Sequence, residues 1–135
     1  MEKVIRNMVE TVGLSHEVIV TGEISDEELL EWYTRSNLLV LFSQYEAFGL
    51  VFFEAMAHGI PVLTHDVGAN KELLTKGAVI VAPFDETSAE DELVRLVNDN
   101  NLRRRLGQDA RNYALKGFTW ASVAKKYLRI YQTLS

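Results

Sequence analysis

The 135-residue chain has no cysteine, which excludes disulfides and thiolate metal sites and fits a reducing cytosol. It has only two prolines, Pro61 and Pro83. Both fall beside apolar runs, so no Pro-rich linker divides the chain. No apolar stretch approaches the roughly 20 residues of a membrane span. Residues 1–6 carry charges of both signs and no apolar run, so no signal peptide is expected. The three histidines, His16, His58 and His65, lack ligand spacing, so no metal site is expected. Internal repeats and low-complexity tracts are also missing. What remains is ordinary: 47% hydrophobic and 24% charged residues, enough for one globular domain with its own core.

The net charge of −5 hides an asymmetry. Residues 1–101 carry 6 basic and 18 acidic side chains, whereas residues 102–135 carry 8 basic and 1 acidic. Arg103, Arg104, Arg105, Lys125 and Lys126 are expected to form solvated helix faces or to pair with the acidic body. The sharper reading is a basic segment that meets an anionic lipid surface. No nucleic-acid partner is expected. The expected location is the cytoplasm, with peripheral contact at the cytoplasmic membrane face as the further reading.

The pattern of elements predicts α/β architecture. Val4, Met8, Val9 and Val12 recur at helical spacing before Gly13. Val18-Ile19-Val20 is short and β-branched and predicts a buried strand ending before Gly22. Ser25-Asp26-Glu27-Glu28 resembles a capping box and opens a helix through Leu29, Leu30, Trp32 and Tyr33. Leu38-Leu39-Val40-Leu41-Phe42 is a continuous apolar run suited to a parallel strand covered on both faces. A second apolar segment, residues 48–57, stops at Gly59 and Pro61. Val62-Leu63-Thr64 and Ala78-Val79-Ile80-Val81 predict further strands, with a short helix near Asn70 between them. Helices are expected over residues 87–98, 101–115 and 120–134. Alternating strands and helices predict a Rossmann-like, three-layer α/β/α parallel sheet in a single domain over residues 1–135, with the helices from about residue 101 to 134 as a terminal cap.

The stretch from Ser43 to Ala57 joins the carboxyl end of a predicted strand to a predicted helix, which is where open α/β sheets bind ligands. Gly49 near the helix start lets a ligand approach the backbone. The free N–H groups around Phe48, Leu50 and Val51 then suit a phosphate. Glu54 lies among Phe52, Phe53, Ala55, Met56 and Ala57, on a helix apolar on nearly all sides. Such helices are buried, so a buried carboxylate with hydrogen-bond partners is expected, and protein donors alone would satisfy it equally well. Helical side chains lean toward the N-terminus, so Glu54 would reach back toward the phosphate end and a pair of hydroxyls such as those of a ribose. Glu46 precedes the helix and would address the other end of the same ligand. Taken singly, it reads equally well as a carboxylate favoured by the helix dipole.

Taken together, these residues resemble the donor-site signature of the retaining glycosyltransferases called group 1 or family 4. Two glutamates, Glu46 and Glu54, stand with seven residues between them. Phe48-Gly49 follows the first, and Ala55-Met56-Ala57-His58-Gly59-Ile60-Pro61-Val62 follows the second. Val20-Thr21-Gly22 with residues 25–29, Asp66-Val67-Gly68-Ala69-Asn70-Lys71-Glu72, Pro83-Phe84-Asp85 and Phe118-Thr119-Trp120 resemble the family's flanking elements, with Ala69 replacing a glycine. The resemblance covers nearly the whole chain.

It implies one half of a two-domain GT-B fold, the C-terminal, donor-binding half, expected to lack that half's first strand-helix unit. It implies a nucleoside-diphosphate sugar as substrate, no cofactor and no metal, with retention explained by same-face attack. Glu46 would contact the transferred sugar and its phosphate and is the catalytic candidate. Backbone N–H groups around Phe48, Gly49, Leu50 and Val51 would hold the diphosphate. Glu54 would bind the ribose, and the turn from Gly22 to Ile24 would meet the base. The family's basic pair near the domain start has no counterpart assigned here. The chain is therefore expected to need an N-terminal acceptor-binding domain or a partner chain, and to be inactive alone. The alternatives are a non-catalytic module that binds a nucleotide or a partner, and a nucleotide-sugar epimerase of the same fold.

Overall fold

The computed structural model describes residues 2–134 and divides into two compact units, residues 1–32 and 33–135. The first holds α1 (Glu2–Thr11) and most of α2 (Asp26–Arg35). The capping box forms as expected: Ser25 Oγ accepts from the Glu28 N–H at 3.2 Å, and Glu28 Oε2 accepts from the Ser25 N–H at 3.0 Å. Val18-Ile19-Val20 forms no strand, against the sequence expectation. A strand needs a ladder neighbour for its backbone groups, and this segment pairs with no described strand. Ile19 is 70% exposed, and the Val20 carbonyl is taken by Arg6 Nη2 at 2.7 Å.

The second unit runs β1 (Leu39–Leu41), α3 (Leu50–Ala57), β2 (Val62–His65), α4 (Asn70–Leu73), β3 (Ala78–Val81), α5 (Glu86–Asn98), α6 (Asn100–Gly117) and α7 (Trp120–Thr133). The strands form a parallel sheet in the order β1-β2-β3, with Leu39 opposite Val62 and Val62 opposite Ala78. Alternation along β2 splits the core between the faces of the sheet. Val62 joins Phe52, Phe53 and Met56 of α3 and the small residues Ala110 and Ala114 of α6. Leu63 faces the other way and joins Val81 with Ala89 and Leu96 of α5. This is the three-layer α/β/α arrangement that the sequence predicts.

The apolar run over residues 38–42 is only partly covered, again against expectation. It forms a short strand at the edge of the sheet, and both Val40 and Phe42 are 38% exposed. The basic segment also has a use inside the fold. The Arg103 guanidinium donates to the carbonyls of Leu96 and Val97 and to Asn100 Oδ1, closing the carboxyl end of α5.

Candidate functional site

The carboxyl end of β1 leads through residues 42–49 into α3. Gly49 is buried and left-handed, with φ 66° and ψ 58°. A Cβ there would lie 2.3 Å from the Phe52 ring and 3.3 Å from Glu46 Cγ. Only glycine fits this entry, and it brings bare backbone to the start of the helix. No side chain caps α3, and its first turn carries no acidic residue. The leading N–H groups at Leu50 and Val51 are therefore free of side-chain competition and carry the partial positive charge of the helix end.

Glu46 is half-buried beside this entry. Its backbone rests on the turn that follows β2. Gly68 there has φ 55°, and a Cβ on it would stand 1.7 Å from the Glu46 carbonyl oxygen. Around that turn the Asp66 N–H donates to the Val81 carbonyl at 2.8 Å, and the Val67 N–H to the His65 carbonyl at 3.0 Å. Asn70, 1% exposed, anchors the turn from below. Its Nδ2 donates to the His65 carbonyl at 2.9 Å and to Thr64 Oγ1 at 3.3 Å, and Thr64 Oγ1 donates to the Leu41 carbonyl at 2.7 Å. A buried polar chain thus joins the ends of β1 and β2 to the turn against which Glu46 rests.

Glu54 departs from expectation: it is exposed. The buried arc of α3 comprises Phe52, Phe53, Ala55 and Met56. Glu54 falls on the opposite stripe with Leu50, which is 65% exposed, and His58, which is also exposed. Residues four apart share a helix face, so the stripe of Leu50, Glu54 and His58 faces outward although the helix as a whole is largely apolar. Glu54 does have a partner: Tyr33 Oη donates to its Oε2 at 3.0 Å. Nothing in the local spacing pointed to Tyr33, which lies 21 residues upstream. The Tyr33 ring stacks on His58, with centroids 5.4 Å apart. Burial first, then the Glu54 hydrogen bond and charge, push the Tyr33 phenol up to about 12.

Phe48, Leu50, Phe53, Glu54, Phe118 and Trp120 line a largely apolar cleft of about 450 Å³. The structure thus brings Glu46, Phe48, Gly49, Leu50, Val51 and Glu54 together around one helix end. Gly22 and Ile24 belong to the first unit. There Gly22 adopts φ 69°, and Ile24 lines a small hollow with Thr21, Leu29 and Trp32. Among the described residues no group of three or more His, Cys, Asp or Glu side chains is placed to hold a metal ion.

The profile of the family described as Glycosyl transferases group 1 matches residues 1–113. The MMP alpha-(1->4)-mannosyltransferase of Mycolicibacterium hassiacum is 32% identical over 128 residues, covering 93% of this chain and 31% of that protein. The sucrose-phosphate synthase of Thermosynechococcus elongatus superposes with a TM-score of 0.83 at 30% identity, over 98% of this chain and 34% of that one. A TarM variant from S. aureus, in complex with fondaparinux, alpha-GlcNAc-glycerol and UDP, gives a TM-score of 0.81 at 25% identity, over 96% of this chain and 26% of that one. The chain spans about a third of the length of the curated relatives it matches. Its parallel α/β fold is that of one half of a GT-B enzyme, and the chain belongs to the group 1 glycosyl transferase family.

Proposed function

We propose that this chain is the donor-binding half of a retaining glycosyltransferase and that it binds a nucleoside-diphosphate sugar at the amino end of α3. The observation that carries the reading is the uncapped helix start at Gly49, with no acidic residue in its first turn and with Glu46 and Glu54 on either side. The diphosphate lies over the N–H groups of Gly49, Leu50 and Val51, where the helix end favours an anion. Glu54 accepts from the ribose hydroxyls, and Glu46 contacts the transferred sugar. In the reaction the bond from the sugar anomeric carbon to the phosphate oxygen breaks, and an acceptor oxygen attacks that carbon from the same face. The acceptor proton leaves with the departing diphosphate. The helix N–H groups stabilise the charge growing on that diphosphate without a metal ion. The acceptor is bound by a second domain or partner chain, so this chain alone binds donor but does not turn it over. The relative described with UDP supports a nucleoside diphosphate as the ligand class.

The test is a titration of the isotope-labelled chain with UDP, GDP and ADP and their hexose conjugates at millimolar levels. Amide resonances from Gly49 to Phe52 and at Glu54 are expected to move for at least one nucleotide. If none moves, donor binding by this chain is refuted. Donor breakdown without any acceptor would point instead to an epimerase.

The same reading extends to location, in the cytoplasm at the inner membrane face. On α7, Lys125, Lys126 and Arg129 lie opposite Trp120, Tyr127 and Tyr131, which are 90%, 59% and 65% exposed. That pattern suits an anionic bilayer surface. Co-sedimentation with liposomes that does not rise with anionic lipid content would exclude it.

A further inference from the structure

Glu54 occupies an exposed stripe of α3, where a glutamate side chain is ordinarily free to sample several rotamers. Ordering such a side chain is among the larger side-chain entropy losses. A site that leaves this ordering to the ligand binds it correspondingly more weakly. Here the ordering is supplied from within the chain. Tyr33 Oη lies 3.0 Å from Glu54 Oε2. The tyrosine is itself held, because its ring is half-buried and stacked on His58 at an interplanar angle of 14°. His58 is the carboxyl cap of α3, and its N–H bonds to the carbonyls of Ala55 and Glu54. The phenol is thus braced against the end of the helix that carries the carboxylate, one turn beyond it.

An ionised carboxylate has about four lone-pair positions on its two oxygens. Tyr33 uses one of them, on Oε2, and leaves Oε1 with both of its own. We infer that Tyr33 is a positioning residue of the donor site: its hydroxyl holds the Glu54 carboxylate in one orientation and leaves Oε1 to accept from a pair of neighbouring ligand hydroxyls. This rests on the donor-binding reading above. The phenol remains a donor throughout the neutral range, since its ionisation is displaced upward by burial and by Glu54.

The test is Tyr33→Phe, which removes one oxygen and keeps the ring and its stacking on His58. Affinities for UDP, GDP and ADP, and for their 2′,3′-dideoxy counterparts, are measured on the 135-residue chain, in the wild type and in the Glu54→Ala background. The substitution should weaken binding of the ribonucleotide by about 3- to 10-fold, the range of one lost hydrogen bond. It should leave the dideoxynucleotide unchanged, and it should have no further effect once Glu54 is alanine. A merely structural role would weaken both nucleotides equally and would persist in the Glu54→Ala background. Either result overturns the inference, as does unchanged ribonucleotide affinity.

A ligand-free measurement separates this idea from the reading beneath it. The carboxylate carbon resonance of Glu54 should shift in Tyr33→Phe without nucleotide. If it does not, Tyr33 does not hold Glu54 and the inference fails, whatever the wild type binds. If it shifts but no nucleotide binds the wild type, the donor reading fails and takes the inference with it.

Discussion

Replacing Gly68 by alanine should displace Glu46 and cost more stability than the backbone angle alone explains. An alanine held at φ 55° is in the left-handed region, which costs about 1–2 kcal/mol. Losing the unfolded-state freedom of glycine offsets about 0.4–1 kcal/mol of that. The steric part is larger. The new Cβ would stand 1.7 Å from the Glu46 carbonyl oxygen, whereas real Cβ contacts are essentially never under 3.0 Å, so about 1.3 Å of separation must open. The obstacle is backbone on both sides, and overpacking of that kind costs roughly 1–3 kcal/mol. The total expected is about 2–4 kcal/mol, which a domain stabilised by about 5–15 kcal/mol survives.

Gly59 provides the control. It also has a left-handed φ, of 80°, but a Cβ there meets nothing nearer than the Gly107 carbonyl oxygen at 3.8 Å. Gly59→Ala should therefore lose only the conformational part, about 1 kcal/mol or less. Urea unfolding of both variants at constant m reads the difference directly. Amide shifts at Tyr45, Glu46 and Ala47 in Gly68→Ala then report where the displacement goes. Equal losses in the two variants would refute the reasoning, as would shifts confined to Asp66, Val67 and Ala69. With Glu46 displaced and Glu54 untouched, binding of a nucleotide sugar should suffer more than binding of the bare nucleoside diphosphate.

Two further outcomes follow from the start of α5. Phe84 is left-handed at φ 62° although it is not glycine, and it is 81% exposed. Phe84→Gly should relieve about 1–2 kcal/mol of strain and lose about 0.5–1 kcal/mol to unfolded-state entropy, a net gain near 0.5–1 kcal/mol in urea unfolding; a loss of stability would mean that the ring packs more than its exposure implies. Asp85 caps α5 by accepting from the Ser88 N–H at 3.0 Å and from Ser88 Oγ at 2.7 Å, and the backbone bond first, then the hydroxyl, lowers its pKa. A depressed carboxylate stabilises the fold above its unfolded pKa of about 3.9 and loses that contribution as pH falls through the lower folded value. The difference in unfolding midpoint between wild type and Asp85→Ala should therefore be constant near neutrality and close in acid; a difference that persists below the folded pKa would show that the charge is not what caps the helix.

The elements legible in the sequence are those whose signals are local. The Ser25–Glu28 box, the stop at Gly59 and Pro61, and the strands over Val62–His65 and Ala78–Val81 are each encoded within a few residues, and each forms. Val18-Ile19-Val20 carries the same β-branched signal as Ala78-Val79-Ile80-Val81, yet only the second is a strand. The difference is not in the residues. Val79 and Ile80 pair with Leu63 and Thr64, while residues 18–20 join no described ladder. Strand propensity describes a fit to a half-buried pleated surface, and whether that surface exists is decided elsewhere in the chain.

The site shows the same division between local and distant causes. The placement of Gly49 is legible in the sequence, since a glycine between a strand and an apolar helix marks a turn into the helix, and the structure gives it a left-handed φ of 66° there. The exposure of Glu54 is not legible in the sequence, because composition does not determine environment. An eight-residue helix apolar on nearly all sides is buried only where other elements cover it, and the fully buried arc of α3 is that of Phe52, Phe53, Ala55 and Met56. The corrected geometry alters what has to be explained. A buried Glu54 would require partners simply to exist in the fold. An exposed one has no such need, since water would satisfy it, and yet Tyr33 is braced against His58 and bonded to it. Solvation gives no reason to hold a surface carboxylate in one orientation. Under the proposed donor reading, ligand hydroxyls presented from the amino end of α3 supply that reason.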